Sequence, residues 1–216
     1  MEVFAVRNRR NLFKRLCYFL VGLALCGFGI ALCTCPGLGT TPISSLPYVL
    51  TKIFSLSFGI WTIIINTFFI LGQAVMLRRF LIIEHTVQFV AVLGLGFFID
   101  LGMYLFTPYI PSNYFLRIVF LLAGCLILSI GILLEVAADI AYTPGDGFVK
   151  TFAAQYKKNF GFSKICFDWV QVILALILSV SVLGFVYGIR EGTVIAAFIV
   201  GYILKLIYPF LRFLRR

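Results

Sequence analysis

Polar chemistry is concentrated in two short segments of this chain, "TTPISS" at 40–45 and "YTPGDG" at 142–147. Each sets hydroxyls beside a Thr-Pro pair, and the second adds the carboxylate of Asp146 between Gly145 and Gly147. Thr followed by Pro is a helix-start signal, with Thr40 or Thr41 as cap in one segment and Thr143 in the other, and Pro42 or Pro144 in the first turn. A helix that starts within apolar sequence aims unpaired amides and its positive end into the protein, a place for an anion or a polar group. Thr41, Ser44, Ser45, Thr143, Gly145, Asp146 and Gly147 are therefore the candidate solute-binding residues. The competing reading is of plain caps on re-entrant turns that hold no ligand.

Four further residues are candidates for ion coupling or a polar core. Glu135 and Asp139 are four apart, so they share a helical face and lead into the second segment. They read either as a proton or cation site or as surface carboxylates paired with nearby lysines. Asn66 lies deep in an apolar stretch and needs a partner for its amide. Asp168 has Lys164 one turn earlier, the spacing of an ordinary ion pair. Asp100 should face protein or water, and His85, the sole histidine, reads as a solvated junction residue. No hydrolytic Ser, Cys or His motif and no phosphate-binding glycine loop is present, so the chain does not read as an enzyme. The six cysteines lack metal or disulfide spacing and read as small core residues; no metal or cofactor is implied.

The elements that position these residues must be membrane helices. With 62% hydrophobic and 12% charged residues and a mean hydropathy of +1.09, the chain cannot cover its apolar surface in water. Six stretches suit a crossing of about 20 residues, at 16–35, 58–77, 86–106, 116–138, 165–189 and 192–211. Each must be helical, because an open strand leaves its backbone unpaired in lipid. The basic start "MEVFAVRNRRNLFKR" is read as the flank of a retained first crossing, not a cleaved signal. Placing both termini in the cytoplasm puts fifteen of the eighteen Lys and Arg there, leaving Lys52, Arg117 and Arg190 on the other face. That distribution explains the net charge of +10 as an orientation signal and gives no support to nucleic-acid binding.

Shifted by 102, the sequence matches itself. Gly22 falls on Gly124, Gly29 on Gly131, Thr41 on Thr143, Pro42 on Pro144, Phe58 on Phe160 and Gly59 on Gly161. Asn66 and Asp168 pair in the same frame, and from Glu84 with Glu191 onward the offset is 107. Two repeats follow, at about 16–106 and 116–214. Three crossings per repeat is odd, so the halves should be inverted and their breaks should enter from opposite faces, as in many secondary transporters.

At "GLGTTPISSLPYVL", "TPGDGFVK" and "EGTVIAAFIVGYILK" the chain resembles the bacterial YczE/YyaS/YitT group of integral membrane proteins, over nearly its whole length. The resemblance implies a multi-pass protein of the bacterial cytoplasmic membrane and supplies no substrate or site residue. The expected molecule is thus a single all-α polytopic membrane domain, about six crossings in two inverted halves with short re-entrant helices. Its partners are the lipid bilayer and a small solute, and a homodimer could enclose the pathway. The preferred function is solute transport. A membrane-embedded accessory or scaffold protein, docking a partner through the lysine-rich segment 150–164, is the alternative from another class, and an enzyme acting on lipid-soluble substrates ranks last.

Overall fold

A computed structural model describes residues 12–207 and 209. Among the described residues eight α-helices run in the order α1 Leu12–Thr34, α2 Pro42–Ile53, α3 Phe58–Leu77, α4 Ile82–Phe106, α5 Tyr114–Ala138, α6 Pro144–Gln155, α7 Phe160–Leu178 and α8 Glu191–Ile207. Local chemistry sets several starts. Ser57, Asn113 and Asn159 accept hydrogen bonds from the backbone N–H groups of Ile60, Phe115 and Phe162 at the heads of α3, α5 and α7. Pro42 and Pro144 open α2 and α6, where their missing N–H is no loss. At 12 residues each, about 18 Å at 1.5 Å per residue, α2 and α6 are too short to cross a bilayer.

Among the described residues, α1, α3, α4, α5 and α7 are long and apolar enough to span. The sixth expected crossing is represented by α8, 17 residues long, and the remainder of 192–211 falls largely outside the described residues. So do both terminal basic clusters, Arg7, Arg9 and Arg10 and then Arg212, Arg215 and Arg216. The expected fifth crossing at 165–189 is corrected at both ends. α7 begins at Phe160, and after a π turn over Ser179–Leu183 the helix stops, because Gly184 takes φ 77. Ser179 then donates to Phe185 O and accepts from Tyr187 N, folding the chain back on itself.

The core is the crossing of α1 and α5, and its contact points are glycines that match at the sequence offset of 102. A Cβ on Gly29 would lie 2.6 Å from Leu128 N, one on Gly124 2.7 Å from Cys33 N, and one on Gly131 2.7 Å from Cys26 N. Small residues let the backbones touch where apolar burial gives no drive between helices in lipid. Numbers fall on α5 as they rise on α1, so the pair is antiparallel. Around it, α4 packs on α1, α8 on α5, α2 on α7 and α3, and α6 on α3 and α7. The outer surface is a belt of exposed Phe, Val, Leu, Ile and Trp, including Phe68, Val75, Phe97, Trp169 and Phe198. Such a surface is suited to lipid and unsuited to water.

Four cysteines, Cys26, Cys33, Cys35 and Cys125, are buried, in keeping with core roles. Cys33 meets Cys125 at 3.8 Å, whereas Cys35 turns to Met103 and Thr107, so the two thiols flanking the first break do not converge.

Candidate site: two helix breaks and an acidic cavity

The antiparallel core puts the breaks at opposite ends of the α1–α5 pair. α1 ends at Thr34 beside the first turns of α5, where Cys33 faces Leu121 and Gly124. α5 ends at Ala138 beside the start of α1, where Arg15 Nε donates to Ala138 O at 2.7 Å. From these opposite ends the chain turns back inward, and the first turns of α2 and α6 meet. Ile43 Cδ1 fills the space over Gly145, where a Cβ would lie 2.5 Å from it.

The first break is packed shut. Thr41, Ser44 and Ser45 are buried, and their hydroxyls are used locally: Thr41 donates to Ser44 Oγ at 2.8 Å and Ser45 to Pro42 O at 2.6 Å. Thr41 stands at the cap position of α2, yet its hydroxyl caps no backbone N–H, which corrects the expected cap. Behind it, Thr34 and Thr40 hydroxyls pair at 2.7 Å, Thr193 Oγ1 accepts from Thr40 N, and Gly192 N donates to Leu38 O at 2.8 Å.

At the second break lies a cavity of about 100 Å³, room for a few waters or one small solute. Glu135, Asp139, Thr143 and Asp146 line it, together with Glu84, Gln88 and the apolar Ile132 and Ile140. Glu135 is buried against Gly22 and Cys26, and among the described residues no Lys or Arg pairs with it. Asp139 does not stay on the same face. It terminates α5 in the left-handed conformation, φ 51, with its side chain 69% exposed and 3.9 Å from Arg15. The expected lysine partners are therefore replaced by an arginine from α1, which also donates to Ala138 O and Asp139 O at the negative end of α5.

Asp146 lies in the first turn of α6, 3.1 Å from Lys164 Nζ, and Lys164 lies 2.9 Å from Asp168. The anion expected at this positive helix end is thus supplied by the protein itself. With Glu84 and Glu135 lacking ion-pair partners among the described residues, the cavity wall holds more carboxyl groups than there are cations paired with them. That favours a cation or a proton over an anion.

Beneath α6, the amides of Gln73 on α3 and Gln88 on α4 pair at 3.4 Å, and Gln73 Nε2 also donates to Pro144 O at 3.1 Å. Gly147 packs directly on this pair: a Cβ there would lie 2.7 Å from Gln73 Oε1 and would push the amide aside. Gln73, Gln88 and Glu84 were not among the residues singled out from sequence, although buried amides within apolar spans carry the same signal that marked Asn66. Asn66 finds its partner in Thr62 O at 2.8 Å, and Asp100 caps α3 by accepting from Gly59 N and Ser57 Oγ. Neither lines the cavity, nor do Thr41, Ser44, Ser45 and Asp168. His85 is corrected: α4 starts at Ile82, so the ring is carried inward, 1% exposed, edge-on to Phe80.

Fold and site together define a polytopic, all-helical integral membrane protein with two Pro-initiated half-helices meeting inside it. The chain belongs to DUF6198, a family of unknown function, whose profile matches residues 13–209. It is similar to the uncharacterized protein YyaS of Bacillus subtilis (strain 168), 24% identical over 193 residues that cover 89% of this chain and 91% of that protein. It is also similar to the uncharacterized membrane protein YczE of the same organism, 25% identical over 203 residues, 93% and 88% of the two chains. Both bear out the resemblance seen in the break motifs. No solved structure matches.

Proposed function

We propose that the chain is a small-solute permease built as two inverted halves, with the acidic cavity as its solute site and a cationic or protonatable molecule as its solute. The observation that carries this reading is the meeting of α2 and α6 at Ile43 and Gly145 after entry from opposite ends of the core. In an inverted repeat, half-helices from the two sides converge on a site near the midplane. Support comes from packing equivalence: α1 lies on α4 as α5 lies on α8, and α2 lies on α7 as α6 lies on α3. The two half-helices also match in length and in their opening Pro.

The halves differ in a way that fits a carrier caught open to one side. Hydroxyls and backbone close the first break, whereas the second faces a cavity flanked by Arg15 and Asp139. Arg15, Arg78, Arg79, Lys150, Lys157 and Lys158 cluster in the segments that flank this end, which supports a cytoplasmic location for it in a bacterial inner membrane. Glu135 is the group that exchanges a proton or cation, Asp146 and Thr143 contact solute, and the reading assigns no catalytic step.

The test is a thermal-shift screen of cationic and zwitterionic metabolites on the purified protein, followed by flux of the hits in vesicles. Asp146→Ala abolishes flux while membrane insertion is retained, and Ser44→Ala leaves flux in place. Equal flux through the wild type and Asp146→Ala sinks the proposal.

A further inference from the structure

A groove of about 430 Å³ runs between α6 and the start of α7, lined by Tyr142, Lys150, Ala153, Ala154, Lys158 and Phe160. Its charge has one sign: two lysines and no carboxylate among the lining residues. Both lysines are exposed, and among the described residues neither makes an ion pair. Lys150 Nζ stands 3.8 Å from the centroid of the Tyr142 ring, which holds the ammonium against one wall. Lys157 takes φ 51 and Lys158 N donates to Ala153 O at 2.9 Å, so the turn closing α6 fixes the backbone that carries Lys158 into the groove lining.

The rest of the groove is apolar. Ala153, Ala154 and Phe160 form it, and Phe152 and Tyr156 are exposed alongside. Depth is set by α7: Phe160 is the first residue of that span, and Lys158 precedes it by two positions. The groove therefore lies at the boundary between hydrocarbon and water, with Lys158 on the wet side. A soluble acidic partner would pair the lysines and leave the apolar half unused, whereas a lipid satisfies both.

We propose that this groove holds an anionic phospholipid, its phosphate between Lys150 and Lys158 and an acyl chain along Ala153, Ala154 and Phe160. Tyr142 walls both the groove and the acidic cavity, so the lipid sits one side chain away from the solute site. The inference does not depend on transport.

The test is native mass spectrometry of the full chain released from micelles doped with equal phosphatidylglycerol and phosphatidylcholine of matched chains. Phosphatidylglycerol is retained preferentially, and K150Q/K158Q loses about thirtyfold of that preference, each single variant about fivefold. Unchanged melting in phosphatidylcholine alone shows that the variants are folded. Glycerol phosphate at the same concentration does not compete. Equal retention of the two lipids, or a preference that survives in K150Q/K158Q, overturns the proposal. Competition by glycerol phosphate as strong as by the lipid overturns it too, in favour of a soluble phosphate ligand.

Discussion

Asp146 serves two neighbours, since its carboxylate faces the cavity and also holds Lys164, which in turn bridges to Asp168. The repeat frame sets Ser44, Thr62 and Asn66 opposite these three, so only one half of the molecule is charged at these positions. Removing the lysine leaves two carboxylates without their shared cation in a partly buried setting. Lys164→Gln is expected to destabilise by about 1–3 kcal/mol, discounted for partial exposure, and adding Asp168→Asn should return part of the loss in a melting-temperature cycle. The Lys164–Asp168 pair was legible from a spacing of four along one helix. Its third member was not, because Asp146 reaches Lys164 only through the packing of α6 on α7. Similarly, Thr41 and Ser44 looked like ligands because hydroxyls at a helix start serve caps and ligands alike; their mutual hydrogen bond is tertiary detail that composition does not encode.

The glycine pairs are where an element-level pattern became structure. Gly22, Gly29, Gly124 and Gly131 stood out in sequence only as matches at one offset, and they prove to be the contacts of α1 with α5. Gly29→Ala would drive a methyl group against the backbone of Leu128 and is expected to destabilise by about 1–3 kcal/mol, read as a lower melting temperature in detergent. Gly201→Ala, with open space at its Cβ, should change stability by less than about 0.5 kcal/mol. Arg15→Ala removes a side chain that binds the last carbonyls of α5 and should lose about 1–2 kcal/mol. Hydropathy alone located the spans because lipid forces the backbone into helices. It missed the helix ends, which depend on single residues such as Gly184, and it missed the inward turn that buries His85.

At the scale of the whole molecule, the decisive feature is that one antiparallel helix pair sends a broken segment inward from each of its ends. Unwound backbone is tolerated at membrane depth only where protein or a watery cavity meets it. Here the first break is met by protein and the second by an acidic cavity, and the proposed permease works by exchanging those roles. The direct test is thiol accessibility in sealed vesicles of known orientation, using a chain in which Cys17 and Cys166 are replaced and the buried cysteines are kept. Ser112→Cys reports the face of the first break, since it adjoins Pro111, whose carbonyl is bound by Arg117, the residue that also reaches Pro36 O. Tyr142→Cys reports the second. The account predicts that an impermeant maleimide labels Tyr142→Cys only from the face bearing the basic loops and Ser112→Cys only from the other; labelling of both from one face would contradict it.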